Sequence, residues 1–371
     1  MVTLAGLSAL IWLYLLLFHG RFWQAGPVLT PRVPLSSPDV AIVVPARDEA
    51  AMIEATLRSL LSQDYLGRFR VILVDDGSSD GTGDIARRIP DARLTVVTGA
   101  PRPAGWSGKL WAVAQGVAAA EDPDLILLTD ADIMHRSEHL ATLVARAERG
   151  DLDMVSEMVE LACVSWAERA LVPAFVFLFQ LLYPFAWVND SLRPTAAAAG
   201  GTILIRARAL GRIGGMETVR GALIDDVALA AAVKRGGRIW LSHSILARSV
   251  RPYPGVQDIW RMVARTAYVQ LRYSSLVLAA ATLGMALTWL VPPASALFGS
   301  GAVRWLGVCA WMMLAVSYVP TLRRFGRSLV WAPFLPLVAA FYMAATIGSA
   351  VNHHRGRGVA WKGRAYQGTG A

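Results

Sequence analysis

Asp130 and Asp132, separated by one alanine, close the short apolar run LILLT (Leu125–Thr129). In an extended segment residues i and i+2 point to the same side. Two carboxylates placed so repel each other unless a cation lies between them. Mg²⁺ or Mn²⁺, held by a few carboxylates together with phosphate oxygens, suits such a pair. The plainer alternative is a solvated turn, with Ser137 capping the next helix. The tripeptide is common, so its weight depends on what surrounds it.

Four other constellations bear on the same chemistry. In VDDGSSDGT (Val74–Thr82), Gly77 and Gly81 permit a tight loop. Asp75 or Asp76 there can accept the imino N–H of a uracil ring, and loop N–H groups can meet phosphates. An ordinary strand-to-helix turn with Asp80 as cap is the alternative. In PARDE (Pro45–Glu49), Pro45 ends a strand, and Asp48 either caps a helix or belongs to a nucleoside-holding segment. Lys109, after Gly108, either neutralises a diphosphate or snorkels at the surface. Asp225 and Asp226 open the helical stretch DDVALAAAVKRGG. The helix dipole keeps a carboxylate there ionised, which suits a general base for a hydroxyl, Asp226 being preferred, or a plain N-cap. No GxGxxG follows a strand, which argues against a dinucleotide oxidoreductase.

The elements that must position these groups alternate. Val40–Pro45 is a continuous apolar run, as in a buried parallel strand. Glu49–Ser62 has helical periodicity, with Ile53, Leu57, Leu60 and Leu61 on one stripe. Phe69–Val74, Leu94–Val97 and Asp124–Thr129 read as further strands, with helices from Ser79 to Ile89 and Leu110 to Ala120 between them. This βαβαβαβ order predicts an α/β, mostly parallel sheet with helices on both faces. Ligands bind at the carboxyl ends of such strands. Asp48 and Glu49 follow the first strand, Asp75 and Asp76 end the second, and Asp130 and Asp132 end the fourth.

The rest of the chain is apolar. Hydrophobic residues make up 55% and charged residues 17% of the 371 residues, against roughly 25% charged in soluble proteins. Leu4–Phe18 reads as an uncleaved anchor, with Arg21 and Arg32 after it placing the following domain in the cytoplasm. Leu276–Phe298, Trp305–Leu322 and Val330–Val351 are each long enough to span. Three full spans would leave the basic stretch His353–Tyr366 outside, so one of them is expected to be re-entrant or interfacial. Leu171–Val188 is expected to lie at the membrane interface, or else to be a core helix. Trp260–Tyr273 is amphipathic and carries Arg261, Arg265, Gln270 and Arg272.

These segments divide the chain into an anchor (1–20), a catalytic domain (38–250, including the interface helix 171–188), an amphipathic helix (255–273), membrane segments (276–352) and a basic tail (353–371). The formal net charge of +9 does not indicate nucleic acid, because no dense basic run with interleaved aromatics appears. Cys163 and Cys309 are expected to be buried, small and apolar, in neither a disulfide nor a zinc site.

PARDE, VDDGSSDGT, GK, TDAD and IDD, in this order over residues 40–240, resemble the family 2 glycosyltransferases of GT-A fold. WSGKLWAVAQGVAAA, TAAAAGGTILIRARAL, RGALIDDVALA and IWRMVARTAYVQLRYS are similar to the hopene-associated glycosyltransferases, a bacterial branch related to ceramide glucosyltransferases. The resemblance implies a bacterial inner-membrane enzyme with a cytoplasmic catalytic domain. It would move a sugar from a UDP-sugar to a lipid acceptor, hopanoid or polyprenoid, with a divalent metal. Pro45, Arg47, Glu49, Asp75 and Asp76 would line the nucleoside pocket and Lys109 would approach the diphosphate. Asp130 would contact nucleotide and metal, Asp132 the metal, and Asp226, with Asp225 beside it, would be the base. The related Q/R-x-x-R-W element stands here as Val269-Gln270-Leu271-Arg272-Tyr273, so only Arg272 carries over. A processive polysaccharide synthase and a non-catalytic nucleotide-binding scaffold are the alternatives.

Overall fold

The computed structural model describes residues 1–355, 359–361 and 364–366. Of the basic tail, Arg357 and Lys362 lie outside the described residues. The chain forms two compact units, one of Pro27–Ala162 with Trp187–Arg251, the other of Met1–Gly26, Cys163–Ala186 and the described residues from Pro252 to Arg355.

The first unit is built on one eight-stranded sheet. Its strands are β1 (Val40–Ala46), β2 (Phe69–Asp75), β3 (Leu94–Thr98), β4 (Leu125–Thr129), β5 (Ile133–His135), β6 (Met154–Glu160), β7 (Thr202–Arg206) and β8 (Ile239–Ser249), in the order β3-β2-β1-β4-β7-β6-β8-β5. Every residue of β1 is buried, as a strand covered on both faces requires. β1 runs parallel to both β2 and β4, and β2 parallel to β3. This half is the parallel sheet expected from the sequence. The other half is mixed: β7 is antiparallel to β4 and β6, β8 is parallel to β6, and β5 is antiparallel to β8.

These directions bring the carboxyl ends of β1, β2, β4 and β8 to one edge. The amino end of β7 joins them, with Thr202 paired to Thr129. The helix Gly108–Ala118 lies close on this sheet, since a Cβ at Gly116 would come within 2.4 Å of Val43 Cγ1 and 3.1 Å of Val74 Cγ2. Ser107 caps that helix, its hydroxyl accepting the Leu110 N–H, so Lys109 stands in the first turn.

Several local expectations are corrected. The helix expected from Glu49 begins at Ile53. Asp48 does not cap it: its residue has φ 51° and its carboxylate accepts the Ser79 N–H at 2.8 Å. The helix after β2 is capped by Gly81 at φ 87°, a left-handed conformation glycine adopts without strain, while Asp80 accepts the Thr82 N–H. Cys163 is half-buried and Cys309 exposed, where burial was expected. Cys309 lies in the apolar stretch Trp305–Leu322, where exposed positions are as apolar as buried ones, so its exposure carries no polarity signal.

The second unit is helical. It includes Val2–Phe18, Trp166–Leu182, Val256–Gln270 and three helices, Ser275–Phe298, Gly301–Arg324 and Leu329–His354, that are long and apolar enough to cross a membrane. Trp166–Leu182 opens on a capping box between Ser165 and Glu168, and a separate short helix, Phe185–Val188, follows Pro184. Its Val172, Ala174, Val176 and Phe177 are buried, and the Gln180 amide donates to the carbonyls of Phe22 and Gln24. In Ser275–Phe298, Pro292 and Pro293 follow a π-turn over Ala286–Leu290, which accommodates the missing N–H donors. Arg272 belongs to this unit, at φ 53° just beyond Val256–Gln270.

Candidate active site

The sheet edge gathers its acids around two cations. Lys109 Nζ lies 2.8 Å from Asp130 Oδ1 and 3.4 Å from Asp225 Oδ2. Burial pulls its amine downward, but these two carboxylates outweigh that and hold it above the ordinary lysine value. The Asp130 carboxyl is raised, first by burial and then by Asp132 and Asp225, against the opposing pull of Lys109.

Asp225 and Asp226 are the first two residues of the helix Asp225–Lys234. Asp226 Oδ2 accepts the Gly200 N–H at 3.0 Å, and Oδ1 accepts the Val227 N–H at 2.8 Å. Burial, and then the neighbouring Asp225 carboxylate, push Asp226 up to about 7, although Lys109 and the two N–H groups pull it down. The helix terminus alone would keep this carboxylate acidic; desolvation and like charge win. A Cβ at Gly200 would sit 3.4 Å from Lys109 Nζ and 3.5 Å from Asp226 Oδ2, so glycine keeps side-chain bulk out of the recess. Pro45, Thr129, Asp130, Gly200, Asp225 and Asp226 line that recess, which is about 20 Å³, room for roughly one water-sized group.

Asp132 is engaged elsewhere. Arg251, two residues beyond β8, donates through Nε to Asp132 Oδ2 at 2.8 Å and through Nη2 to Glu49 Oε1 at 2.6 Å. Ser249 Oγ donates to the same Asp132 oxygen at 3.3 Å. Asp130-Ala131-Asp132 is therefore not the extended segment expected. It is a turn, closed by the Ile133 N–H on the Asp130 carbonyl and held by Thr56 Oγ1 on the Ala131 carbonyl and the Val250 N–H on the Asp132 carbonyl. The two carboxylates meet different cations, one from a helix start and one from a strand end.

Arg251 was not singled out from the sequence. Its signal was an arginine just past a strand ending on the ligand edge, but β8 was not legible. Ser242, His243 and Ser244 interrupt its apolar alternation, although all three are buried.

Of the expected nucleoside residues, Asp76 is buried, with the Arg47 guanidinium donating to its carbonyl at 2.5 Å and lying 3.8 Å from its carboxylate. Asp75 serves the loop itself: its carboxylate accepts the Ser78 N–H at 3.0 Å and closes on Gly83, where a Cβ would come within 2.3 Å of Oδ2.

Among the described residues no group of three or more His, Cys, Asp or Glu side chains converges as a metal cage. A hard cation held by one or two carboxylates plus diphosphate oxygens needs none. Asp130 and Asp132 fit such an ion: burial raises Asp130 first and the like charge of Asp132 adds to it, and a divalent cation would relieve that second contribution.

Residues 41–213 match the family model described as Glycosyl transferase family 2. The chain is 27% identical over 203 residues to the probable glycosyltransferase YdaM of Bacillus subtilis, covering 53% of this chain and 46% of that protein. It is 31% identical over 136 residues to an undecaprenyl-phosphate 4-deoxy-4-formamido-L-arabinose transferase of Aeromonas hydrophila, covering 35% of this chain and 40% of that one. The chain thus spans less than half the length of these curated relatives. Among solved structures it is similar to the mannosyltransferase PcManGT of Pyrobaculum calidifontis, in complex with GDP-Man and Mn²⁺. That likeness has a TM-score of 0.53 and 22% identity, covering 94% of this chain and 99% of the other, and establishes a shared GT-A fold.

Proposed function

We propose that this chain, which carries a glycosyl transferase family 2 domain over residues 41–213, transfers a sugar from a UDP-sugar to a lipid hydroxyl at a membrane surface, inverting the anomeric carbon. One observation carries the reading: the buried Asp226 carboxyl, pushed up to about 7, stands in a recess that Lys109 and Asp130 also line. A base poised near neutrality is what deprotonation of an alcohol requires. Pro45, Arg47, Glu49 and Asp76 hold the nucleoside, and Lys109 turns from its carboxylates toward the diphosphate. Asp225 keeps Lys109 in place and raises its neighbour. A divalent cation on Asp130 and Asp132 would neutralise charge growing on the departing nucleotide. Arg272 is proposed as a further residue for the nucleotide sugar, carried over from the family's Q/R-x-x-R-W element.

The acceptor is a polyprenoid or hopanoid alcohol. A second reading takes a lipid phosphate, the acceptor named for the Aeromonas relative. A phosphate is already ionised at neutral pH and needs no base, so Asp226 favours the hydroxyl. The purified chain, given UDP-sugars and separate pools of lipid alcohols and lipid phosphates, is expected to add one sugar to the alcohols, read by mass spectrometry. Exclusive glycosylation of the phosphates would transfer the reading to them. A polymeric product would favour a processive synthase, and no transfer from any nucleotide sugar would leave only a nucleotide-binding scaffold.

The membrane is proposed to be the bacterial inner membrane, with the catalytic unit cytoplasmic. Arg21 and Arg32 after the first apolar helix, and Arg323, Arg324 and Arg327 near the third, support this orientation. An Ala365→Cys chain is expected to react with impermeant thiol reagents only after the cells are opened; labelling in intact cells overturns the inside placement of the tail.

A further inference from the structure

A chain of buried polar side chains runs from the core to the Asp130–Asp132 turn, and the chemistry above does not use it. Glu157, in β6, and His139, which opens the helix His139–Arg149, are fully buried and meet at 2.7 Å between Oε2 and Nε2. His139 Nδ1 lies 2.8 Å from His135 Nδ1, with the rings stacked at 5.0 Å. His135 Nε2 lies 3.1 Å from Thr129 Oγ1, which itself donates to the Gly201 carbonyl at 2.8 Å. Ser244 Oγ donates to Glu157 Oε2 at 3.1 Å, and Glu157 Oε1 is buried without a hydrogen-bond partner.

Counting donors sets the direction of this chain. The one hydroxyl proton of Thr129 is committed to the Gly201 carbonyl, so Thr129 Oγ1 accepts from His135 Nε2–H. Burial, and then His139, hold His135 well below the ordinary histidine value, so its ring is neutral and its Nδ1 accepts. His139 Nδ1–H is therefore the donor, and the proton between His139 Nε2 and Glu157 Oε2 belongs to that pair. From His139 onward the line of donors points toward the site. It ends on Thr129, directly before Asp130, and through it on Gly201, directly after the residue whose N–H holds Asp226.

We propose that Glu157, His139 and His135 are positioning residues: they fix Thr129 between the Asp130–Asp132 turn and the Gly200–Gly201 step, and so set the separation of the diphosphate-side acids from the base. The chain bridges β6, the helix His139–Arg149 and β5 to the facing ends of β4 and β7, next to Asp130 and Gly200. The catalytic readout rests on the transferase reading; the structural readout does not.

Two variants test it in the full-length protein. Thr129→Val keeps the shape and removes both hydroxyl bonds. Glu157→Gln keeps the chain direction, because the amide N–H₂ donates to His139 Nε2 and leaves His139 Nδ1–H pointing at His135. Thr129→Val is expected to lower kcat about tenfold or more, with the donor KM moving less than about threefold. Hydrogen exchange of segments 130–134 and 199–202 is expected to quicken, while 40–46 exchanges as in the wild type. Glu157→Gln should retain kcat and exchange within about threefold. Wild-type exchange in both segments of Thr129→Val overturns the proposal whatever the protein's activity. So does equal loss in both variants accompanied by general unfolding, which would mark the chain as core packing alone. If wild-type protein transfers no sugar, the transferase reading fails and the exchange result still decides the positioning role.

Discussion

Asp226→Asn is expected to lower kcat for sugar transfer by about 10²–10⁴-fold, the usual contribution of a positioned general base. The same substitution should erase the acidic limb of the kcat/KM profile. In the native chain the Asp226 carboxyl is pushed up to about 7 by burial and Asp225. As the proposed base it would be ionised above that pH and protonated and inactive below it, so activity is expected to rise as pH rises through about 7. Stability carries the opposite sign. A carboxyl raised from 3.8 to about 7 in the folded chain favours its protonated form there. It therefore contributes a loss of stability as pH climbs from about 4 to 7. Asparagine does not ionise, so the variant should lack this decline, measured by melting at pH 5 and pH 8. Full transfer activity in Asp226→Asn would exclude it as the base. A lost activity traced to a collapsed melting temperature at both pH values would point to folding instead.

Lys109→Met carries the second-largest effect, about 10²–10³-fold in kcat/KM, comparable to removing one charge-stabilising donor from an enclosed site. Lys109 is the cation that faces Asp130 and Asp225 at 2.8 and 3.4 Å, and its charge also lowers Asp226. Without it, the Asp226 carboxyl rises further, and the acidic limb should shift above 7. The two results have separate causes. Loss of the diphosphate contact weakens nucleotide binding, read by calorimetry with UDP. Loss of the nearby charge moves the pH profile. An unmoved acidic limb would mean that Lys109 does not act electrostatically on Asp226. Undiminished UDP binding would remove Lys109 from the diphosphate site.

The local half of this site was legible before any fold was known. VAIVVP, VILV and LILLT are continuous apolar runs of the kind that strands buried on both faces carry. Their parallel pairing then forces Glu49, Asp76 and Asp130 onto one edge, because all three strands end there. Lys109 and Asp226 were likewise legible, each standing in the first turn of an apolar helix. What each of these groups touches was not. Asp130 and Asp132 read as one pair sharing one cation, since spacing along a strand is all that a sequence reports. The fold bends them into a turn and gives one to Lys109, the other to Arg251.

Arg251 and the Glu157–His139–His135 chain stayed hidden for the same reason. Both come from the mixed half of the sheet, where polar residues occupy buried strand positions: Glu157 in β6, Ser242, His243 and Ser244 in β8. Apolar periodicity identifies a strand only when burial and hydrophobicity coincide. Here buried polar groups are satisfied by partners as far as 202 residues away along the chain, as Glu49 is by Arg251. The sequence by itself determined which acids share an edge and which helices open on an acid pair and a lysine. Only the tertiary structure decided their partners, and with them that Asp226 titrates near neutrality, because desolvation and charge proximity are properties of the packed site.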